Sequence, residues 1–165
     1  MKKAFLFLLV SFSVLSCSMQ KHSSLDESAK AAIATTISAS LDSILAGWNS
    51  NNLEMMFPAL LKSEEFTYMG IDGKMYNYDE FLEMVNSQFS FQEYAKYTLK
   101  DKKVKVIDAN TAVGLVRIAG EIRIRNGNVQ KYENVGISFV FEKHDGLWWV
   151  THFQESTLPG VQANF

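Results

Sequence analysis

The first half of the chain carries apolar residues at helical spacing. Between Ser24 and Gly47 they recur every three or four positions, which predicts a long amphipathic helix that closes near Gly47. The apolar stripe consists of Ile33, Ile37, Leu41, Ile44, Leu45 and Trp48. Ser24 followed by Glu27 predicts a capping box at the start of this helix. A second, shorter helix is predicted over Leu53 to Leu61, with Pro58 disturbing or ending it.

A short strand and a third helix come next. Alternation around Tyr68, followed by the Asp72-Gly73 pair, is typical of a strand that runs into a tight turn. Asn77 with Glu80 forms a second capping pattern, which predicts that a helix begins there. The apolar stripe of this third helix consists of Tyr78, Phe81, Leu82, Val85 and Phe89.

From about Tyr97 the pattern changes from helical spacing to alternation. Four strand-like stretches follow, separated by short segments rich in Asn, Asp and Gly, as in hairpin turns. They cover Tyr97 to Ile107, Ala112 to Arg125, Val129 to Lys143, and Leu147 to Gln154. Helices with one early strand, then an antiparallel meander, predict an α+β domain in which a curved sheet wraps the helices. Such a sheet makes a cone with a pocket at its open end.

Composition narrows the range of partners. The chain has 165 residues, 47% of them hydrophobic, which suits one globular domain with a single core. Its formal net charge is −2 and its lysines cluster only between positions 100 and 105, so nucleic acid is not expected as a partner. The sequence contains no glycine-rich phosphate loop, no metal-ligand spacing of His or Cys, and no nucleophile elbow. We therefore predict neither a cofactor nor a metal site.

The first residues have the pattern of a secretory signal. Lys2 and Lys3 precede an apolar stretch from Ala4 to Leu15, then small residues and Cys17. The apolar stretch is shorter than the roughly 20 residues of a membrane-spanning helix. Cys17 is the only cysteine, which excludes an intramolecular disulfide.

The tetrad Val14-Leu15-Ser16-Cys17 resembles a bacterial lipobox, in which cleavage before the cysteine precedes its acylation. The alternative is an ordinary signal peptide that happens to contain a cysteine. The first interpretation divides the chain into a lipoprotein signal peptide (1–16), a polar tether (17–25), a domain (26–159) and a tail (160–165). It locates the protein in the bacterial cell envelope, lipid-anchored, in the periplasm or at the outer membrane.

Two stretches carry a resemblance to a known superfamily. Together with the order of elements, FTYMGIDG (66–73) and DGLWWVTHFQESTLP (145–159) resemble the nuclear-transport-factor-2-like superfamily, particularly its SnoaL-like members. The second stretch is similar to the association domain of calcium/calmodulin-dependent protein kinase II, except that Gln154 stands where that pattern has a second histidine. The resemblance implies a cone-shaped, cystatin-like fold. Members include isomerases, dehydratases, cyclases, and domains that only bind or assemble.

Strict alternation divides the last strand into two faces. One face would hold Trp148, Val150, His152, Gln154 and Ser156, and the other Trp149, Thr151, Phe153 and Glu155. The resemblance implies that the first set faces the inside of the cone. The candidate ligand-binding residues on this strand are therefore Trp148, His152, Gln154 and Ser156. Trp48, at the end of the long helix, and Tyr68, before the Asp72-Gly73 turn, are two further candidates, with core packing as the alternative for each. His152 is also the candidate catalytic residue, because a neutral histidine can act as acid or base. Alternatively, it only forms a hydrogen bond in a partly buried core.

The other face of this strand predicts a partner. Trp149 and Phe153 are too large and apolar to be left in water, which favours a homodimer through the outer face of the sheet. The resemblance to dimerising members also implies this. The alternative is coverage by the tail, Leu158 to Phe165. Arg117 and Glu121 are expected on a solvated outer face, or inside the cone as polar pocket groups.

The leading hypothesis is a lipid-anchored envelope protein whose SnoaL-like domain binds a small, partly apolar molecule, with no catalysis established by the sequence. One alternative is a proton-transfer enzyme, an isomerase or dehydratase, with His152 as base and Tyr68 or Gln154 as donor. The other is a non-catalytic oligomerisation module with a filled cone.

Overall fold

The computed structural model describes residues 25–56 and 59–157. Its helices are α1 (Glu27–Ser50), α2 (Leu53–Met56) and α3 (Tyr78–Phe91). Its strands are β1 (Thr67–Met69), β2 (Met75–Tyr76), β3 (Gln92–Val106), β4 (Thr111–Ile124), β5 (Val129–His144) and β6 (Leu147–Thr157). The predicted order of helices and strands is confirmed, with the short β2 added. Within the described ranges, no helix is long and apolar enough to span a bilayer.

The start of α1 differs from the prediction. Asp26, not Ser24, is the N-cap, and its carboxylate accepts a hydrogen bond of 2.7 Å from the Ala29 amide. That hydrogen bond is the main reason why the pKa of Asp26 lies below its usual value. α1 also continues beyond Gly47 and ends at Asn51, which adopts the left-handed conformation with φ 50°.

The structure corrects the predicted length of α2 and confirms the predicted cap of α3. α2 is shorter than predicted and ends at Met56, and Pro58 lies outside the described residues. The capping box of α3 is confirmed: Asn77 accepts from the Glu80 amide at 3.0 Å, and the Glu80 carboxylate accepts from the Asn77 amide at 2.9 Å.

The six strands form one curved, unclosed sheet in the order β2-β1-β6-β5-β4-β3. All neighbours are antiparallel except β1 and β6, which are parallel. Register shifts interrupt β3/β4, β4/β5 and β5/β6, and such bulges bend long strands. The concave face packs on α1, where a Cβ atom on Gly114 would lie 2.9 Å from a δ-carbon of Leu41. The cone-shaped α+β prediction is confirmed.

The register shift in β6 decides which side chains enter the core. Val140 pairs with His152 but Phe141 pairs with Val150, so Thr151 is one residue too many for strict alternation. An extra residue transfers every following side chain to the opposite face. Before Thr151, Trp148 and Val150 therefore face the core.

After the shift, Phe153, Glu155 and Thr157 face inwards. Phe153 is 1% exposed and stacks on Phe139, with ring centroids 5.3 Å apart. The prediction that Phe153 lies on the outer face is therefore wrong, whereas Trp149 does lie on that face, opposite Glu142 and half-buried.

Candidate ligand-binding site

A cavity of about 110 Å³ lies between the concave face of the sheet, the end of α1 and the second half of α3. Most of its lining is aromatic or aliphatic. The aromatic residues are Trp48, Tyr68, Phe81, Phe89, Tyr97 and Tyr132. The aliphatic ones are Ile71, Met84, Val85, Ile118, Ile122, Val135 and Ile137. The remaining three, Gln88, Glu155 and Thr157, are polar.

Glu155 is the charged residue of this lining. Its carboxyl group is removed from bulk water, although the residue as a whole is only half-buried. Burial raises the pKa of Glu155 from 4.5 to about 7, and a hydrogen bond from the Tyr68 hydroxyl opposes that rise. The carboxyl group is therefore divided between its protonated and ionised forms near neutral pH.

Three tyrosine hydroxyl groups surround this carboxyl group. Burial raises the pKa values of Tyr68, Tyr97 and Tyr132, and the charge of Glu155 raises each of them further. All three hydroxyl groups are consequently neutral at physiological pH. They can donate or accept hydrogen bonds, but they do not supply charge.

Neighbouring residues hold Tyr97 in place. The Asn49 side chain donates to the Tyr97 carbonyl oxygen at 3.1 Å and accepts from its amide at 2.5 Å, which ties the end of α1 to β3. The Tyr97 ring lies against Gly120, where a Cβ atom would come within 2.8 Å of the ring. The Trp48 ring packs beside it, with centroids 6.0 Å apart. The position of Tyr97 in the cavity wall therefore depends on Gly120 and on the two hydrogen bonds between the Asn49 side chain and the Tyr97 backbone.

The structure separates the predicted site residues into two groups. Trp48 and Tyr68 line the cavity together with Glu155. Trp148 packs against the core without lining the cavity, and the Lys143 ammonium lies 5.9 Å from its ring centroid.

The other three predicted residues lie on the outer face of the sheet. The Nδ1 atom of His152 is 2.7 Å from Thr67 Oγ1 on the neighbouring β1. Gln154 and Ser156 are exposed and line a shallow groove that includes Arg117. The expectation that these side chains face the inside of the cone is wrong, because the shift at Thr151 reverses the alternation.

Sequence reasoning missed Glu155 for the same reason. One signal could have found it: Phe153 is too apolar for a solvent-facing position, and residues two apart share a face. Placing Phe153 in the core would have placed Glu155 beside it. The same reasoning would have removed His152 from the cavity.

Arg117 and Glu121 lie on the outer face of the sheet, as the main prediction for these two residues states. Arg117 is exposed, and Glu121 pairs there with Lys131 at 3.2 Å. The alternative that Arg117 and Glu121 enter the cone is wrong. Within residues 25–56 and 59–157, no group of His, Cys, Asp or Glu side chains is arranged to hold a metal ion.

The sequence of residues 37–159 matches the SnoaL-like domain family. The match covers most of the chain, so the protein belongs to this family. No curated protein matches the sequence.

Solved structures with the same fold show how widely it is used. A nuclear-transport-factor-2-like protein from Salmonella enterica serovar Typhimurium LT2 has a TM-score of 0.71 and 16% identity, covering 82% of this chain and 99% of its own. The association domain of calcium/calmodulin-dependent protein kinase II from C. elegans has a TM-score of 0.62 and 19% identity, covering 80% and 100%. A hexachlorocyclohexane dehydrochlorinase has a TM-score of 0.67 and 11% identity, covering 83% and 96%. At these identities the likeness establishes the fold and not the activity.

The raised pKa of Glu155 predicts a stability that falls with pH. Below pH 4.5 the carboxyl group is protonated in both the folded and the unfolded state, and the buried neutral form costs no charge burial. As the pH rises from 4.5 to about 7, the unfolded state loses its proton first, so the folded state loses stability. We expect a loss on the order of 3 kcal/mol that Glu155→Gln abolishes, since each pKa unit corresponds to about 1.4 kcal/mol.

The measurement is the free energy of unfolding in urea between pH 5 and 8. Glu121→Gln is the matched control, because the Tyr94 hydroxyl holds the pKa of Glu121 below its usual value, so this group stays ionised throughout that range. It should therefore retain the wild-type slope. Parallel curves for the wild type and Glu155→Gln would show that Glu155 is not buried as described.

Proposed function

We propose that the domain binds a small, partly apolar molecule in the cavity of the cone. The observation that carries this proposal is the desolvated carboxyl group of Glu155 in a lining of aromatic and aliphatic side chains. An apolar cavity with a few convergent polar groups is the usual form of a ligand site. A buried carboxyl group at such a position costs stability, which favours a role in binding or chemistry over one in packing.

The size of the cavity limits the ligand. About 110 Å³ is well below the roughly 300 Å³ at which pockets for drug-sized molecules begin. An engineered cavity of about 150 Å³ holds benzene, so the part of a ligand that a cavity of about 110 Å³ encloses is at most a single ring. The half-buried Gln88 and Phe89 mark the edge at which a substituent would leave the cavity.

Filling the cavity should abolish binding. Val135→Phe places a ring in the cavity, whereas Val129→Phe makes the same change at an exposed position of the same strand. We expect mass spectrometry of the purified full-length protein to find a co-purified small molecule in the wild type and in Val129→Phe, and none in Val135→Phe. Equal recovery from all three would place the molecule elsewhere. A wild type that neither retains a molecule nor binds any member of a one-ring library favours the oligomerisation module.

The second candidate is a proton-transfer enzyme with Glu155, not His152, as the acid or base. Its pKa of about 7 suits a group that must both take up and release a proton near neutral pH. The Tyr68 hydroxyl, which donates to this carboxylate, would stabilise its ionised form between the two transfers. The likeness to a dehydrochlorinase supports this candidate at the level of the fold only.

Deuterium exchange tests the second candidate. In D₂O, an enzyme of this kind should introduce deuterium from solvent into a carbon position of the captured molecule. We expect exchange to stop in Glu155→Gln and to continue in His152→Ala. Exchange that stops only in His152→Ala would return the histidine to the catalytic role. A captured molecule that gains no deuterium on carbon over the uncatalysed rate favours a binding protein.

We also propose that Cys17 anchors the protein to the bacterial envelope through acyl chains. Support comes from the lipobox-like tetrad at 14–17 and the polar tether that follows, which lie outside the described residues except for Leu25 at the end of the tether. Each buried methylene adds about 0.8 kcal/mol, so several chains hold a protein firmly to a membrane. Cys17→Ala should move the protein from the membrane fraction to the soluble fraction or leave it unprocessed. Unchanged fractionation and processing would contradict the anchor, and Ser16→Ala is the control.

Self-association through the outer face of the sheet is the third part of the proposal. The middle of that face is formed by small side chains, Gly136, Ser138 and Val140, beside the half-exposed Leu115 and Trp149. A face of small side chains can pack closely against a second copy, and association domains share the fold. Ser138→Arg should convert a dimer into a monomer in sedimentation velocity, whereas Ser87→Arg on exposed α3 should not. A dimer in both variants would contradict this interface.

A further inference from the structure

The charges around the cavity point to the class of ligand, an inference that rests on the proposed binding function. Within the part of the chain that the structure describes, Glu155 has no cationic partner: its pKa is set by burial and by Tyr68, with no contribution from a lysine, arginine or histidine. The lining of the cavity likewise contains none of these three residue types among the described residues. The protein therefore buries a carboxylate without supplying the positive charge that would compensate it.

The aromatic lining of the cavity also favours a positively charged ligand. Six of the lining residues are aromatic, and the face of an aromatic ring carries partial negative charge. A cation within about 6 Å of such a ring is attracted to it, and more strongly where water is excluded. An anion would meet both the ring faces and Glu155, and would be repelled by each.

The hydrogen-bonding groups around Glu155 also favour a ligand that donates hydrogen bonds. The Tyr68 hydroxyl already donates to Glu155, and the Tyr132 hydroxyl donates to Gln130 Oε1 at 2.9 Å. The lone pairs of both oxygens, and those of the Glu155 carboxylate, can still accept hydrogen bonds. A ligand with several N–H groups therefore matches the cavity better than one that only accepts.

We propose that the cavity selects a small organic cation, a protonated amine on an apolar group of about one ring, with its ammonium group against Glu155 and its apolar part among Trp48, Phe89 and Tyr97. The ammonium group supplies the missing counter-charge. The apolar group occupies the rest of the cavity, whose total volume of about 110 Å³ limits it to at most one ring.

The protonation of Glu155 gives this proposal a signature in pH. The titratable groups that face the carboxyl group are Tyr68 from β1, Tyr97 from β3 and Tyr132 from β5, and all three are neutral at physiological pH. Asp72 acts on Tyr68, and its pKa lies below its usual value, so it stays ionised above pH 5. Of these groups, only Glu155 therefore changes charge between pH 6 and 8. Since the ionised fraction at a pKa of about 7 rises from about one tenth to nine tenths, amine affinity should rise about tenfold over that range.

The test compares three probes of one size: benzylamine, benzyl alcohol and benzoate. Binding to the full-length protein is measured by calorimetry at pH 6 and pH 8. At pH 8 we expect benzylamine to bind at least tenfold more tightly than benzyl alcohol, and benzoate not to bind. Glu155→Gln should weaken benzylamine at least tenfold and leave benzyl alcohol within about twofold. Glu121→Gln, on the outer face, should change neither affinity.

The outcomes separate the ligand class from the binding function. Benzyl alcohol or benzoate binding as tightly as benzylamine at pH 8, or benzylamine affinity that does not rise from pH 6 to 8, overturns the cation proposal and leaves a binding cavity in place. Failure of all three probes to bind overturns both at this ligand size. The pH series uses the wild type alone, so it decides the matter even where Glu155→Gln does not fold.

Discussion

The inserted residue Thr151 is the constraint on which both faces of the sheet depend. Without it, the alternation that places Val150 in the core would place His152 there too, and Phe153 and Glu155 would point to the outside. With it, the inner face of β6 carries Trp148 and Val150 before the shift and Phe153, Glu155 and Thr157 after it. The aromatic core around Phe153 and the carboxyl group in the cavity are thus consequences of one backbone irregularity.

Glu155 is held by two opposing effects. Burial favours the neutral acid and raises the pKa, whereas the hydrogen bond from the Tyr68 hydroxyl favours the carboxylate and lowers it. The balance of these two effects is a pKa of about 7. Phe153, on the same face of β6, contacts the Tyr68 ring with centroids 4.5 Å apart and so fixes the position of that donor. Core packing and the electrostatics of the cavity are therefore set by the same few side chains.

Periodicity predicted the order of elements and a capping pattern predicted the box at Asn77, whereas the two correct cavity residues, Trp48 and Tyr68, also required the resemblance to a cone-shaped fold. These features depend on local chemistry or on long regular patterns, which a sequence displays directly. The side chains after Thr151 were assigned to the wrong face because strict alternation assumes that no extra residue interrupts the strand. The sequence pattern does not show where such a residue is inserted. The N-cap of α1 was predicted at the wrong residue because Ser and Asp are both good N-cap residues. The backbone geometry, which the sequence does not show, selects Asp26 and not Ser24.

The binding and assembly hypotheses are physically compatible, because one pair of strands carries both surfaces. Ile137 and Glu155 are paired on the inner face, and the adjacent pair, Gly136 and Ser156, lies on the outer face. A second copy packed on the outer face would bury this part of β5 and β6 and restrict its motion. The inner carboxyl group would then be held by strands with less freedom to relax towards water, and a charge that cannot relax towards water is compensated best by a ligand of opposite charge. Assembly would in this way sharpen the cavity's preference for a cation and not compete with it.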